Sequence, residues 1–158
     1  MENEPDVTII TDPAFSRHDT GGGEHPETSE RLRVITERLA QGHLANRIRR
    51  LPTRPATRAQ LLAFHTEGWL FRFEEAVLSG RTYIDHPDNQ VCYESYEIAT
   101  LSAGAGLVGV DAVEQAPGSV VFCQTRPPGH HAEPNQPYGF CFFRSEERRV
   151  GKECRSRW

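Results

Sequence analysis

Apolar and polar positions follow two different periods along this chain, and the changes of period divide it into elements. Val7–Thr11 (VTIIT) is a short run stopped by Asp12-Pro13, which predicts a buried strand. In HPETSERLRVITERLAQG, Leu32, Ile35 and Leu39 recur at helical spacing. Thr28 or Ser29 is placed to cap that helix, and Gly42 to end it. Thr57 is a good cap for a second helical stretch, RAQLLAFH. The stretch GWLFRFEEAVL then presents Leu70, Phe73 and Val77 on one side and stops at Ser79-Gly80. Residues 81–94 read as an irregular loop, with Pro87, Asp88 and Asn89 at a turn. From Ser95 to about residue 115 the chain is rich in Ala, Leu, Gly and Val and predicts a buried helix. Ser119–Cys123 (SVVFC) is continuously apolar, as an interior parallel strand would be. Strands alternating with helices point to an α/β fold with a mainly parallel sheet.

The 158 residues suffice for one domain with a core, and 37% hydrophobic with 25% charged residues fits a soluble protein. No apolar run approaches a membrane span. The acidic start MENEPDVTII lacks the features of a secretory signal, so the expected location is the cytoplasm. Cys92, Cys123, Cys141 and Cys154 form no CxxC pair, and free thiols are expected.

The net charge of -4 is unevenly spread. Residues 144–158 hold six basic and three acidic side chains, which leaves residues 1–143 strongly acidic. An acidic body is a poor nucleic-acid binder, and no direct nucleic-acid partner is expected. The string RSEERRVGKECRSRW at 144–158 contains the only lysine and has no apolar periodicity. It resembles the one-frame translation of a sequencing adapter. Two parts are therefore expected: a native portion, 1–143, and a non-native tail, 144–158.

Two motifs bear on chemistry. Gly104-Ala105-Gly106-Leu107-Val108-Gly109 fits the dinucleotide pattern G-x-G-x-x-G, but it lies inside a helical stretch with no strand before it. Small residues there are expected to let the helix approach the sheet. Arg126-Pro127-Pro128-Gly129-His130-His131 follows the apolar strand, so it lies at the edge where open parallel sheets bind ligands. The prolines and glycine stiffen the backbone that carries two adjacent imidazoles, and rigid placement is what a general base needs. Tyr138-Gly139-Phe140 adds a position for close backbone approach and an apolar wall. Together they suggest a narrow slot for a thin aliphatic chain ending in a neutral group.

RPPGHHAEPNQPYGFCFF resembles the signature of the arginase/deacetylase superfamily, in its histone deacetylase-like branch. HPETSERL, LLAFHTEGWL and DNQVCYESYEIATLSAGA resemble further family motifs, in family order, over about residues 7–143. The resemblance implies a three-layer α/β/α arginase/deacetylase fold, here incomplete. It implies a Zn²⁺-dependent deacetylase acting on acetylated lysine peptides, acetylated polyamines or other small amides. His131 then corresponds to the general base and acid, and His130 to its electrostatic helper, at the floor of a tunnel. Gly139 corresponds to a carbonyl that accepts the substrate amide N–H, Phe140 to a tunnel wall, and Asp88 to a rim aspartate. Arg31 corresponds to an arginine of an internal channel, and His25 is expected to be structural. The family's metal ligands and its tyrosine are expected C-terminal to Phe143, so the 158-residue chain is expected to be inactive. A non-catalytic binding or regulatory protein is the alternative.

Overall fold

A computed structural model describes residues 7–21, 24–42 and 45–145 of the chain. The tail expected at 144–158 lies outside the described residues except for Arg144 and Ser145.

The order of elements follows from where β-prone runs and helical stripes fall. Strand β1 (Val7–Ile10) is followed by a 3₁₀ turn at Pro13–Arg17, which Asp12 caps by accepting the N–H of Ala14 at 2.8 Å. Helix α1 (Ser29–Ala40) leads to β2 (Ile48–Leu51), then to the short α2 (Arg58–Leu62) and to α3 (Glu67–Leu78). The antiparallel hairpin β3 (Tyr83–Ile84) and β4 (His86–Gln90) precedes the long α4 (Ser95–Gln115) and β5 (Val120–Cys123). Strands β2, β1 and β5 lie side by side in that order, all parallel. Ile9 and Ile10 point to opposite faces of β1, yet both are fully buried, so each face of the sheet is covered there. The α/β class and the parallel sheet are thus as expected.

Helix α4 is the layer whose packing is most explicit. A Cβ added at Gly109 would meet Cys123, Ile10 and Val121, so the glycine brings the helix down onto the sheet. At Gly104 it would fall 1.7 Å from the carbonyl oxygen of Arg54. That glycine is needed where the chain before α2 crosses the helix, and Ala56 N–H donates to Thr100 O in the same crossing. The glycine series serves packing, as its helical setting indicated.

Helices α2 and α3 begin as their sequences ask. Thr57 and Gln60 form a capping box, and Thr66 accepts the N–H of Trp69. The buried stripe of α3, including Trp69, Leu70, Phe73 and Val77, faces α4 and the segment Cys141–Phe143. Phe73 stacks on both Trp69 and Phe142, with ring centroids 5.4 and 4.8 Å apart.

Three expectations need correction, and one strand was not foreseen. Residues 81–94 are not an irregular loop: the chain reverses at Asp85, at φ 62, and Pro87 to Asn89 belong to β4. Arg72 pins that reversal by donating twice to the Asp85 carboxylate, at 3.2 and 3.1 Å. Strand β2 was not anticipated, because IRRL carries two exposed arginines and no alternation. Thr28 occupies the N-cap of α1 as expected but makes no side-chain capping bond, and the Leu32, Ile35, Leu39 stripe buries no residue. Finally, β5 lies at the edge of the described sheet, with Val120 and Phe122 exposed, not in its interior.

Candidate active site

The site begins where β5 ends. Gln124 N–H donates to Ile10 O and extends the ladder, and the Gln124 side chain donates to Leu32 O and Thr36 Oγ1 of α1. Arg126 comes next and is almost wholly buried. Its Nε donates to Glu27 Oε1 at 2.6 Å, one terminal nitrogen donates to Phe15 O, and the other to Glu27 O. A buried guanidinium is tolerable only with its charge matched and its donors used, and here three groups from the N-terminal segment do so. The peptide Arg126–Pro127 is cis. Ser102 of α4 donates to Pro127 O at 2.7 Å, which fixes the loop from the helix side.

His18 completes this buried group. Its Nδ1 lies 2.8 Å from Ser95 Oγ, and its Nε2 lies 3.8 Å from Glu27 Oε2. A Ser95 hydroxyl donating to Nδ1 leaves the ring proton on Nε2, facing the carboxylate. Burial, the Arg126 charge and the nearby His25 push the pKa of His18 from 6.5 down to about 3, so the ring is neutral. Glu27 Oε2 has no hydrogen-bond partner.

The two imidazoles follow directly. A turn from Gly129 to Ala132, closed by Ala132 N–H to Gly129 O, carries His130 and His131 with ring centroids 4.2 Å apart. Gly129 is required because a Cβ there would strike Phe143 O at 2.4 Å. Both histidines are exposed among the described residues.

The second wall is a tight turn. Tyr138 and Cys141 exchange backbone hydrogen bonds of 3.1 and 3.0 Å, and the two residues between them, Gly139 and Phe140, have φ of 54 and 69. Positive φ at both central positions is the type I′ pattern. For a phenylalanine that conformation costs about 1–2 kcal/mol. Such strain persists only where surroundings impose it. Asn89 Oδ1 accepts the Phe140 N–H at 3.2 Å, and the His25 ring meets the Phe140 ring edge-on at 4.9 Å. Gly139 lies against the base candidate, since a Cβ there would fall 2.9 Å from His131 Cδ2.

The structure therefore brings His130, His131, Gly139 and Phe140 together. Asp88 belongs to the same neighbourhood through its backbone: His25 Nε2–H donates to Asp88 O at 3.0 Å, while His25 Nδ1 accepts the Glu27 N–H. Its carboxylate is exposed, 3.3 Å from His86. Arg31 is exposed on α1. His25 is the tie that its structural assignment implied. Glu27, Arg126, His18 and Asn89 were missed as a set, although Glu27 and Arg126 lie inside the very motifs that drew attention. His65 was missed too: its Nε2 accepts the Arg144 N–H at 2.9 Å, and its Nδ1 lies 3.3 Å from Pro134 O, so a proton on Nδ1 satisfies both. A cavity of about 400 Å³ lined by Asp19, Arg81, Tyr83, Pro87 and Tyr93, among others, includes none of the candidate site residues.

A sheet-edge loop bearing paired imidazoles beside a glycine-aromatic turn sets groups able to accept and return a proton next to an apolar surface. The chain matches the histone deacetylase domain over residues 25–145, and it belongs to that family. It is 37% identical over 123 residues to a histone deacetylase-like amidohydrolase of Pseudomonas aeruginosa, covering 78% of this chain and 31% of that protein. It is 34% identical over 125 residues to the polyamine deacetylase HDAC10 of Danio rerio, covering 74% of this chain and 18% of that one. Among solved structures, the HD domain of HDA15 superposes with a TM-score of 0.77 at 26% identity, over 88% of this chain and 40% of that one. The chain thus spans about a third or less of the length of these two curated relatives.

The family implies a Zn²⁺ site. Among the described residues no group of three or more His, Cys, Asp or Glu side chains comes together that would hold a metal ion. The described residues do not by themselves fit Zn²⁺.

Proposed function

We propose that the protein to which this domain belongs is a deacetylase that hydrolyses the amide of N-acetylated amines, either acetyl-lysine in peptides or an acetylated polyamine. The pair His130–His131 set against the Gly139–Phe140 turn is the observation that carries this reading. Membership of the histone deacetylase family and similarity to a protein named polyamine deacetylase support both substrate types.

The chemistry open to the described residues is proton transfer and positioning. His131 takes a proton from the attacking water and returns it to the departing amine as the acetyl carbon–nitrogen bond breaks and acetate forms. His130, beside it, tunes the field that its neighbour experiences. Phe140 offers an apolar wall to the methylene chain, and the Gly139 carbonyl an acceptor for the substrate amide. Dependence on Zn²⁺ is part of the proposal, with the donors supplied by residues beyond those described. The 158-residue chain alone is then inactive.

The test uses the protein carrying the complete histone deacetylase domain, assayed on an acetyl-lysine peptide and on an acetylpolyamine. His131→Ala should lower kcat by about 10²–10⁴-fold on whichever substrate is turned over. Absence of hydrolysis by the wild type, or full activity in the variant, defeats the reading. Turnover by the 158-residue chain supplied with Zn²⁺ would defeat the claim that donors lie elsewhere.

A further inference from the structure

Phe140 holds an unusual backbone conformation, and one side chain from a distant hairpin meets it there. In the Tyr138–Cys141 turn, the bonding N–H groups are those of Tyr138 and Cys141. The Phe140 N–H is left over by the turn itself. Asn89, which is 3% exposed, supplies the missing acceptor at 3.2 Å and spends its Nδ2 on Ile84 O at 3.3 Å. A buried amide is costly unless its atoms are paired, and both Asn89 side-chain ends are used. The residue before it acts on the same wall from another direction: Asp88 O accepts from His25, whose ring meets Phe140 edge-on. The dipeptide Asp88–Asn89 therefore grips one aromatic residue twice, through a main-chain carbonyl via His25 and through a side chain directly.

We propose that Asn89 is the positioning residue of the slot for the substrate's methylene chain: it holds Phe140 in place and so determines how tightly that chain is bound. This rests on the deacetylase reading above, in which Phe140 packs on that chain. The described hydrogen bonds of the Asn89 side chain go to Phe140 N–H and Ile84 O and none to His131, so its effect is expected first on binding at the Phe140 wall. An apolar wall gripping ground state and transition state alike changes KM and leaves kcat alone.

Two substitutions in the protein with its complete domain separate this from a general packing role. Asn89→Leu keeps the size and removes both hydrogen bonds. Asn89→Asp keeps an oxygen for the Phe140 N–H and, where its carboxyl is protonated, a donor for Ile84 O in place of Nδ2, so it is assayed on the acid side of the activity range. Asn89→Leu should raise KM for an acetyl-lysine peptide by about tenfold, the scale of one lost apolar contact in a pocket, with kcat within about twofold. Asn89→Asp should recover most of that loss. A fall in kcat at unchanged KM, or an Asp variant no better than the Leu variant, overturns the proposal. Amide hydrogen exchange at Phe140 supplies a readout free of activity: faster in Asn89→Leu and slowed again in Asn89→Asp is expected, and unchanged exchange overturns it. A wild type that hydrolyses nothing sinks the deacetylase reading alone, and the exchange experiment still decides whether Asn89 holds Phe140.

Discussion

Two sides of this molecule are built to different degrees of closure. On one, α3, α4 and Cys141–Phe143 shut around Trp69, Phe73 and Phe142, each fully buried. On the other, α1 buries nothing, and Val34, Val120 and Phe122 are 51%, 57% and 48% exposed. Apolar residues of one chemical kind thus differ in what surrounds them. The difference shows where the candidate chemistry is anchored. Trp69 Nε1–H donates to Phe142 O, and His65 accepts the Arg144 N–H, so the segment following the Gly139–Phe140 turn is tied to the closed side. The local geometry of the imidazole pair and its wall depends on the finished half.

The largest expected effect tests that contrast directly. Phe73→Ala removes a ring stacked on two others and should cost about 3–5 kcal/mol in urea unfolding. Val34→Thr or Val120→Thr in the described structure removes almost nothing and should stay within about 0.5 kcal/mol. Comparable losses on both sides would erase the distinction.

The buried ion pair should be nearly as costly to break. Glu27→Gln leaves Arg126 without a counter-charge and should destabilise by about 3–5 kcal/mol. Glu27→Met combined with Arg126→Met should cost less than either change alone, since no charge is then stranded. Thermal melts of the two Met variants, their combination and Glu27→Gln measure this, and strict additivity would contradict the role given to the pair.

Acidification should act through His18. Its folded pKa, about 3, is depressed below the unfolded 6.5, so the unfolded chain binds the extra proton between those values. The contribution is whole above about pH 6.5 and is lost as pH falls towards 3. His65, also lowered chiefly by burial, adds a loss of the same sign. His18→Gln should flatten the pH dependence of unfolding over that window, and an unchanged slope would exclude His18 as its source.

Much of this was legible in advance because local rules agreed with the tertiary outcome. VTIIT and the α3 stripe each had one sensible use, and the small residues of α4 had packing favoured over a dinucleotide pattern by their helical setting; the structure makes these uses. Residues 86–90 misled because HPDNQ is turn-like in composition. It pairs as a strand because Asp85 reverses the chain and Asn89 turns inward to two backbone partners. IRRL misled because an edge strand of four residues needs no apolar alternation. Helix α1 shows the opposite failure: Leu32, Ile35 and Leu39 form a proper stripe, but amphipathic spacing states a preference for cover and cannot supply it. In the site, the imidazoles and the aromatic wall were visible as motifs. Their supports were not, because a glutamate, an arginine and an asparagine far apart in sequence carry no shared pattern until the fold joins them.

The bond between Glu27 and Arg126 closes a separation of 99 residues. At ordinary elongation rates of about 5–20 residues per second, roughly 5–20 s pass on the ribosome between the two. Over the same interval β1, the middle strand of the described sheet, has no β5 to pair with. The nascent chain must therefore keep an apolar strand and a carboxylate in waiting until the imidazole-bearing segment is about to be made. The ion pair that steadies the His130–His131 loop and the loop itself are completed together.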